Sequence, residues 1–429
     1  MKTIAKGTFL TGLLTVFALD VAAQEWTRFR GPNGTGISYA KTIPTKITEA
    51  DVNWKVELPG SGHSSPVLWG ERLFLTCTGG KAGGISVVCL NAREGNVVWK
   101  RDFPLRPFSL TALSSHAAST AAVDAERVYA AWNEPEHYFL TALDHEGKTV
   151  WQRDFGTFVS QHGCGTSPIV WKDKVILGNF QEDMRLAGVG TDSGKSSIVA
   201  VDAKTGKTVW ETPRDTATVA YSTPCVYEPK GGPPALIFNS QSHGISAVAP
   251  DTGKVLWEYE EAFDKRSVSS PLLAGDIIFG SCGSGAGGNF ITAIRAGDAA
   301  TGRRPELAYQ VKKSASYVPT GIVAGGLAWF WSDGGILTCL HAPSGEIRYQ
   351  ERVGGNYFGS PVWVDGRLFC VSANGELVVV EAADKFNVLH RYALKEVCRS
   401  TPAVALGRMF VRTEKHLWSF GGSKEATAP

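Results

Sequence analysis

A unit of 40 to 56 residues recurs along this chain, and that repetition restricts the possible folds more than any local pattern does. The first half of each unit is a Ser/Thr-Pro step, an apolar stretch, a turn and a second apolar stretch, as in Ser65-Pro66-Val67-Leu68-Trp69-Gly70-Glu71-Arg72-Leu73-Phe74-Leu75. The second half is an alternating strand, a Gly turn and a strand ending in Trp, as in Ile198-Val199-Ala200-Val201-Asp202-Ala203-Lys204-Thr205-Gly206-Lys207-Thr208-Val209-Trp210. Pro66, Ala121, Pro168, Pro224, Pro271, Gly321, Pro361 and Pro402 occupy the equivalent step, so there are eight starts and eight units. Each unit offers four short strands with a period of two, the content of one β-propeller blade, which needs neighbours to cover both its faces. The expected fold is therefore all-β: one eight-bladed β-propeller of four-stranded antiparallel blades over residues 51–422, with helices scarce.

Ring closure supplies an independent expectation. The last unit, from Ser400 to Phe420, has three strand-like stretches and then stops, while Asn53-Trp54-Lys55-Val56-Glu57-Leu58 repeats the pattern of Val98-Trp99-Lys100-Arg101-Asp102-Phe103. The N-terminal strand is expected to complete the final blade and remove an exposed sheet edge. On this reading residues 24–50 are an extended segment, and a truncation before Trp54 is expected to be tolerated far better than one after it.

The first 23 residues read as an export signal: Lys2 and Lys6, an uncharged run from Gly7 to Leu19, and the small residues Val21-Ala22-Ala23 before the expected cut. That run is shorter than the roughly 20 residues of a membrane span, and no Cys follows it to carry a lipid. The expectation is a soluble, monomeric periplasmic or secreted protein, with residues 423–429 a disordered tail. A net charge of +2 gives no reason to expect nucleic acid as a partner. The eight Cys leave buried thiols and one or two disulfides both open, and there is no CxxC motif and no adjacent Cys pair.

The repeat resembles that of the quinoprotein (pyrroloquinoline quinone, PQQ) dehydrogenase-like propellers, whose blade motif is A-x-D-x-x-T-G-x-x-x-W. Ala200, Asp202, Thr205, Gly206 and Trp210 match it throughout, and Ala247, Thr252, Gly253 and Trp257 match all but the Asp. The opening Trp26-Thr27-Arg28-Phe29-Arg30-Gly31-Pro32-Asn33-Gly34-Thr35-Gly36 is similar to that of many exported bacterial propellers of this type. The resemblance implies that Trp54, Trp99, Trp151, Trp210 and Trp257 dock neighbouring blades. It implies two kinds of function. One is a non-catalytic binding or scaffold role in the cell envelope, as in the BamB-like propellers of similar size and blade count, with a protein or carbohydrate held at the axial mouth. The alternative is a PQQ- and calcium-dependent oxidoreductase acting on alcohols or sugars, in which an Asp base removes a hydroxyl proton and many members stack a vicinal Cys pair on the quinone. The reading adopted is the binding role, with no catalytic residue assigned and PQQ with calcium as the alternative cofactor.

Residues just ahead of each step are expected to ring one mouth of the central channel: His63, His116, His162, Tyr221, Arg266, Tyr317, Tyr357 and Arg399. Such a set suits an anionic or sugar-like ligand, or it plugs the channel through mutual hydrogen bonds. His63, His116 and His162 raise the question of a zinc-like ion, but their offsets from the step differ, and no metal is assigned. Inserts at Asp102 to Ser115, Gln181 to Ser197, Glu228 to Pro234 and Ser281 to Asn289 are candidates for recognition or for unconstrained loop growth.

Overall fold

The apolar runs that open each unit become pairs of strands flanking a tight turn, and the Gly-turn segments supply two more. A computed structural model describes residues 26–79, 84–106, 108–183, 185 and 193–422. The expected export signal and the tail at 423–429 lie outside them. The described residues form eight sheets, seven of four strands and one, blade 7, of five, with no helix beyond the short 3-10 turns Pro32–Gly34, Glu49–Asp51 and Glu260–Ala262. Blades 1 to 7 span residues 67–104, 122–154, 169–214, 225–259, 272–311, 322–352 and 362–393 in chain order. In each, strand order follows the sequence from axis to rim. Blade 8 takes three strands from 403–421, and Val52–Glu57 completes it, antiparallel to His416–Gly421 with Lys55 opposite Trp418. The fold is an eight-bladed β-propeller closed by its N-terminal strand.

Burial follows position in the blade. The middle strands, such as Lys174–Asn179 and Ile277–Cys282, are buried at every residue because a neighbouring blade covers each face. The rim strands Val52–Glu57 and Thr149–Asp154 alternate between half-buried and exposed.

At six of the eight junctions an aromatic residue near the start of the rim strand packs on the glycine turn of the next blade. A Cβ added to Gly95, Gly147, Gly206 or Gly253 would lie 2.5–2.7 Å from Trp54, Trp99, Trp151 or Trp210 respectively. A Cβ on Gly297 would lie 2.8 Å from Trp257. The indole N–H groups of Trp54, Trp99, Trp151 and Trp210 also donate to carbonyls of those turns, at 2.8–3.0 Å. At Gly95, Gly147, Gly206 and Gly253 glycine is thus required twice over: for positive φ, and because no side chain fits under the indole.

Residues 26–51 differ from the passive lead-in expected of them. Trp26, Ile43 and Ile47 are each 1% exposed and belong to the core of blades 1, 7 and 8. The segment crosses one end of the central channel as a plug. The Trp26 and Thr27 carbonyls accept from Leu68 and Val123, the Asn33 side chain bonds both main-chain groups of Val226, and the Gly36 carbonyl accepts from Trp363. Ile37–Ser38 then adds a parallel strand inside blade 7. Truncation before Trp54 would therefore remove core, which corrects the tolerance expected from the strand pattern.

All eight Cys are buried and free. Each sits in a strand or step where its sulfur fills space, which resolves the open choice in favour of thiols.

Candidate functional site

The innermost turn of every blade contributes one hydroxyl, and together these close a ring about the axis. The backbone N–H of the Ser or Thr that opens the step donates to the hydroxyl of the equivalent residue in the next blade. The series runs Ser65 to Thr120, Thr120 to Ser167, Ser167 to Thr223, Thr223 to Ser270, Ser270 to Thr320, Thr320 to Ser360, Ser360 to Thr401, and Thr401 back to Ser65, all at 2.9–3.3 Å. Ser and Thr alternate all the way round, and all eight are buried. Each N–H is thereby satisfied where no sheet partner exists. Each hydroxyl, having accepted, keeps its own proton to donate.

A cavity of about 220 Å³ lies at this ring. Phe29 of the plug lines it from one end, and His63, His162, Tyr221 and Arg399 line it with seven of the ring hydroxyl residues. The first insert contributes Leu113, Ser114 and Ser115. Thr111 and Ser114 meet His162 Nδ1 at 2.8 and 3.1 Å, and Tyr221 lies edge-on to the imidazole. No Asp, Glu, Asn or Gln is among the lining residues described.

The ring of eight residues expected from the sequence is only partly assembled. Four of them, His63, His162, Tyr221 and Arg399, share the cavity. His116 sits beside it under Phe108, at 4.6 Å between ring centres. Arg266 pairs with Glu182 at 2.7 Å, and Tyr317 stands in the same cluster, with its backbone N–H donated to Asp333 at 2.7 Å. Tyr357 is 1% exposed and packs on Trp331 in the core of blades 6 and 7. The differences arise because the turns before the step vary in length and path. The residue that reaches the axis at every blade is the Ser or Thr of the step itself, whose alternation is visible in the sequence. Among the described residues no cluster of His, Cys, Asp and Glu has the arrangement of a metal site.

Four guanidinium groups stand around the channel without a carboxylate partner among the described residues. Arg30, fully buried, donates only to carbonyls, those of Gly34, Thr35, Thr320, Gly321 and Pro361, at 2.5–3.3 Å. Burial pushes it down to about 9, so it remains charged at neutral pH. Arg28 donates to the Pro224 carbonyl, and burial lowers it to about 10. Arg412, also fully buried, holds the Ser64 and Thr76 carbonyls at 3.0 and 2.7 Å and the Ser64 hydroxyl at 2.6 Å. Arg399 has His63 Nε2 at 3.4 Å and lies over the Phe358 ring, while its Nε is buried without a partner. Burial, with Arg399 and Arg412 adding repulsion, lowers the His63 imidazole to about 3, so it is neutral and accepts.

The family described as "Outer membrane protein assembly factor BamB" matches residues 84–351. A polyvinylalcohol dehydrogenase from a Pseudomonas species is 29% identical over 196 residues, which are 42% of this chain and 28% of that protein. The chain thus matches little more than a quarter of the length of this curated relative. A europium-containing methanol dehydrogenase superposes with a TM-score of 0.68 at 12% identity, covering 93% of this chain and 98% of the other. BamB from Moraxella catarrhalis superposes with a TM-score of 0.59 at 14% identity, covering 88% and 99%. At those identities the superpositions show the shared fold. With the repeat, the eight closed blades and the matched span together, the chain belongs to the PQQ dehydrogenase-like β-propeller family.

Proposed function

We propose that this protein is an exported propeller of the cell envelope that binds a protein or carbohydrate partner at its axial face and does not itself carry out oxidation. The observation behind this reading is the donor set of the axial cavity. A calcium-held quinone needs several carboxylate or amide oxygens around a hard cation and a carboxylate base beside the substrate. The lining supplies hydroxyls, two imidazoles, a phenol and a guanidinium, with no Asp, Glu, Asn or Gln among the described residues. The sequence also lacks adjacent Cys residues. These residues do not fit the PQQ–calcium pair, and no step is assigned to it. Export rests on the positive, apolar and small-residue pattern of the first 23 residues, just ahead of the plug that begins at Trp26. No helix of the described residues is long and apolar enough to cross a membrane.

A second reading, a quinone-dependent alcohol or sugar dehydrogenase, draws on the curated relatives named polyvinylalcohol dehydrogenase. Titration of the signal-free protein with PQQ plus Ca²⁺, followed by absorbance and thermal melting, separates the two, because a native-state ligand must raise the melting temperature. The binding reading expects no shift, no PQQ-dependent dye reduction with alcohols or sugars, and recovery of an envelope protein or glycan with tagged protein. A saturable shift with dye reduction overturns it.

A further inference from the structure

The plug turns the axial channel into a blind cavity, and everything polar that faces it donates hydrogen bonds or is neutral. We infer that this cavity is a metal-independent binding site for a small oxyanion, a carboxylate- or phosphate-bearing molecule, anchored by Arg399 and held by the ring hydroxyls. The inference goes beyond the binding reading above, which concerns a larger partner on the axial face outside this cavity.

Charge is the first ground. Arg399 reaches no carboxylate; its donors have only a long contact to His63, and its buried Nε has no acceptor. Arg28, Arg30 and Arg412 add three buried positive charges around the same channel, all held by neutral groups. Buried charges without a counter-ion are unfavourable, and an anion seated in the cavity would meet Arg399, the one of the four that lines it. A guanidinium meets carboxylate or phosphate oxygens with two parallel N–H groups, which gives orientation as well as attraction.

Donor inventory is the second ground. Each ring hydroxyl accepts one backbone N–H and keeps its own O–H beside one remaining lone pair, and among the described residues none receives those protons, so the ring presents a set of unused donors. An oxyanion is the partner that uses such donors together, because each of its oxygens accepts more than one bond. A neutral sugar would leave the Arg399 charge without a counter-ion.

Shape is the third ground. A cavity of about 220 Å³ closed by Phe29 admits a small organic acid or a free phosphate and excludes a folded partner or peptide.

The test is calorimetric titration and thermal melting of the signal-free protein with citrate and, separately, with inorganic phosphate, at low ionic strength and with EDTA present. The expected result is saturable one-to-one binding that EDTA does not change, with a raised melting temperature. Arg399→Gln should weaken it about ten- to hundredfold. Arg295→Gln, at an exposed pair with Asp276 away from the axis, should leave it unchanged. Binding of citrate alone assigns a carboxylate ligand and binding of phosphate alone a phosphate ligand. No binding of either anion to the wild-type protein overturns the inference, as does binding undiminished in Arg399→Gln. Should Arg399→Gln fail to fold, a crystal of the wild-type protein with the bound anion decides: density in the axial cavity supports the site, and density elsewhere overturns it. Loss of anion binding while an envelope partner still co-purifies would remove this inference and leave the binding reading standing.

Discussion

Replacing Trp26 by Ala tests whether the plug is part of the folded core. The indole is 1% exposed, lies on Gly31, whose added Cβ would come within 2.6 Å of it, and shares a core with residues of blades 1, 7 and 8. Burying 150–250 Å² of aromatic surface at about 25 cal/mol per Å² gives about 4–6 kcal/mol as an upper bound. Against this, the buried indole N–H has no partner, and removing it returns about 1–3 kcal/mol. The net expected loss is about 3 kcal/mol, at the lower end of what Trp-to-Ala changes cost in cores. Trp26→Phe keeps most of the area and drops the orphan donor, so it should lie within about 1.5 kcal/mol of wild type. Deleting residues 26–51 also removes Ile43, Ile47 and the carbonyl bonds of Arg30, a combined loss comparable with the whole stability of a typical domain, about 5–15 kcal/mol. That deletion should not give a folded monomer even though Val52–Glu57 remains to close blade 8. The assay is urea unfolding of the signal-free proteins followed by far-ultraviolet circular dichroism. A loss below about 1 kcal/mol for Trp26→Ala, or cooperative unfolding of the deletion near the wild-type midpoint, would refute the argument.

Three further outcomes are expected. Gly206→Ala and Gly302→Ala both place a side chain at positive φ, costing about 1–2 kcal/mol; only Gly206 also presses on Trp151, so it should cost about 1–3 kcal/mol more in the same unfolding assay. Ser360→Ala removes the acceptor of the Thr320 N–H and should cost about 1–3 kcal/mol, whereas Ser360→Thr keeps the acceptor and should be nearly neutral; equal losses would argue against the hydroxyl ring. The His63 imidazole falls from its ordinary 6.5 to about 3 in the folded protein, so the unfolded chain takes up a proton first as pH drops. Its stabilising contribution is therefore full above pH 6.5 and declines at about 1.4 kcal/mol per pH unit between there and pH 3. His63→Gln should flatten that part of the stability–pH curve, and an unchanged slope would refute it.

The sequence alone determined the blade count, the strand content of each blade and the closure by Val52–Glu57. These depend on local pattern: alternation, the Ser/Thr-Pro steps and the Gly turns repeat often enough that eight copies agree. The candidate site was legible only in part. His63, Tyr221 and Arg399 each lie three residues ahead of the Pro of their step and reach the axis, and His162, six ahead, reaches it too, whereas Tyr357, four ahead, turns into the core against Trp331. The alternating Ser and Thr of the ring stood in the sequence, yet nothing local says that a backbone N–H in one blade meets a hydroxyl in the next. Tertiary structure decided that, along with the plug, the uncompensated arginines and the second reason for the glycine in four of the turns. All of these are contacts between segments far apart in the chain, such as Arg30 with Pro361 or Trp151 with Gly206, and the geometry of the closed ring brings them together.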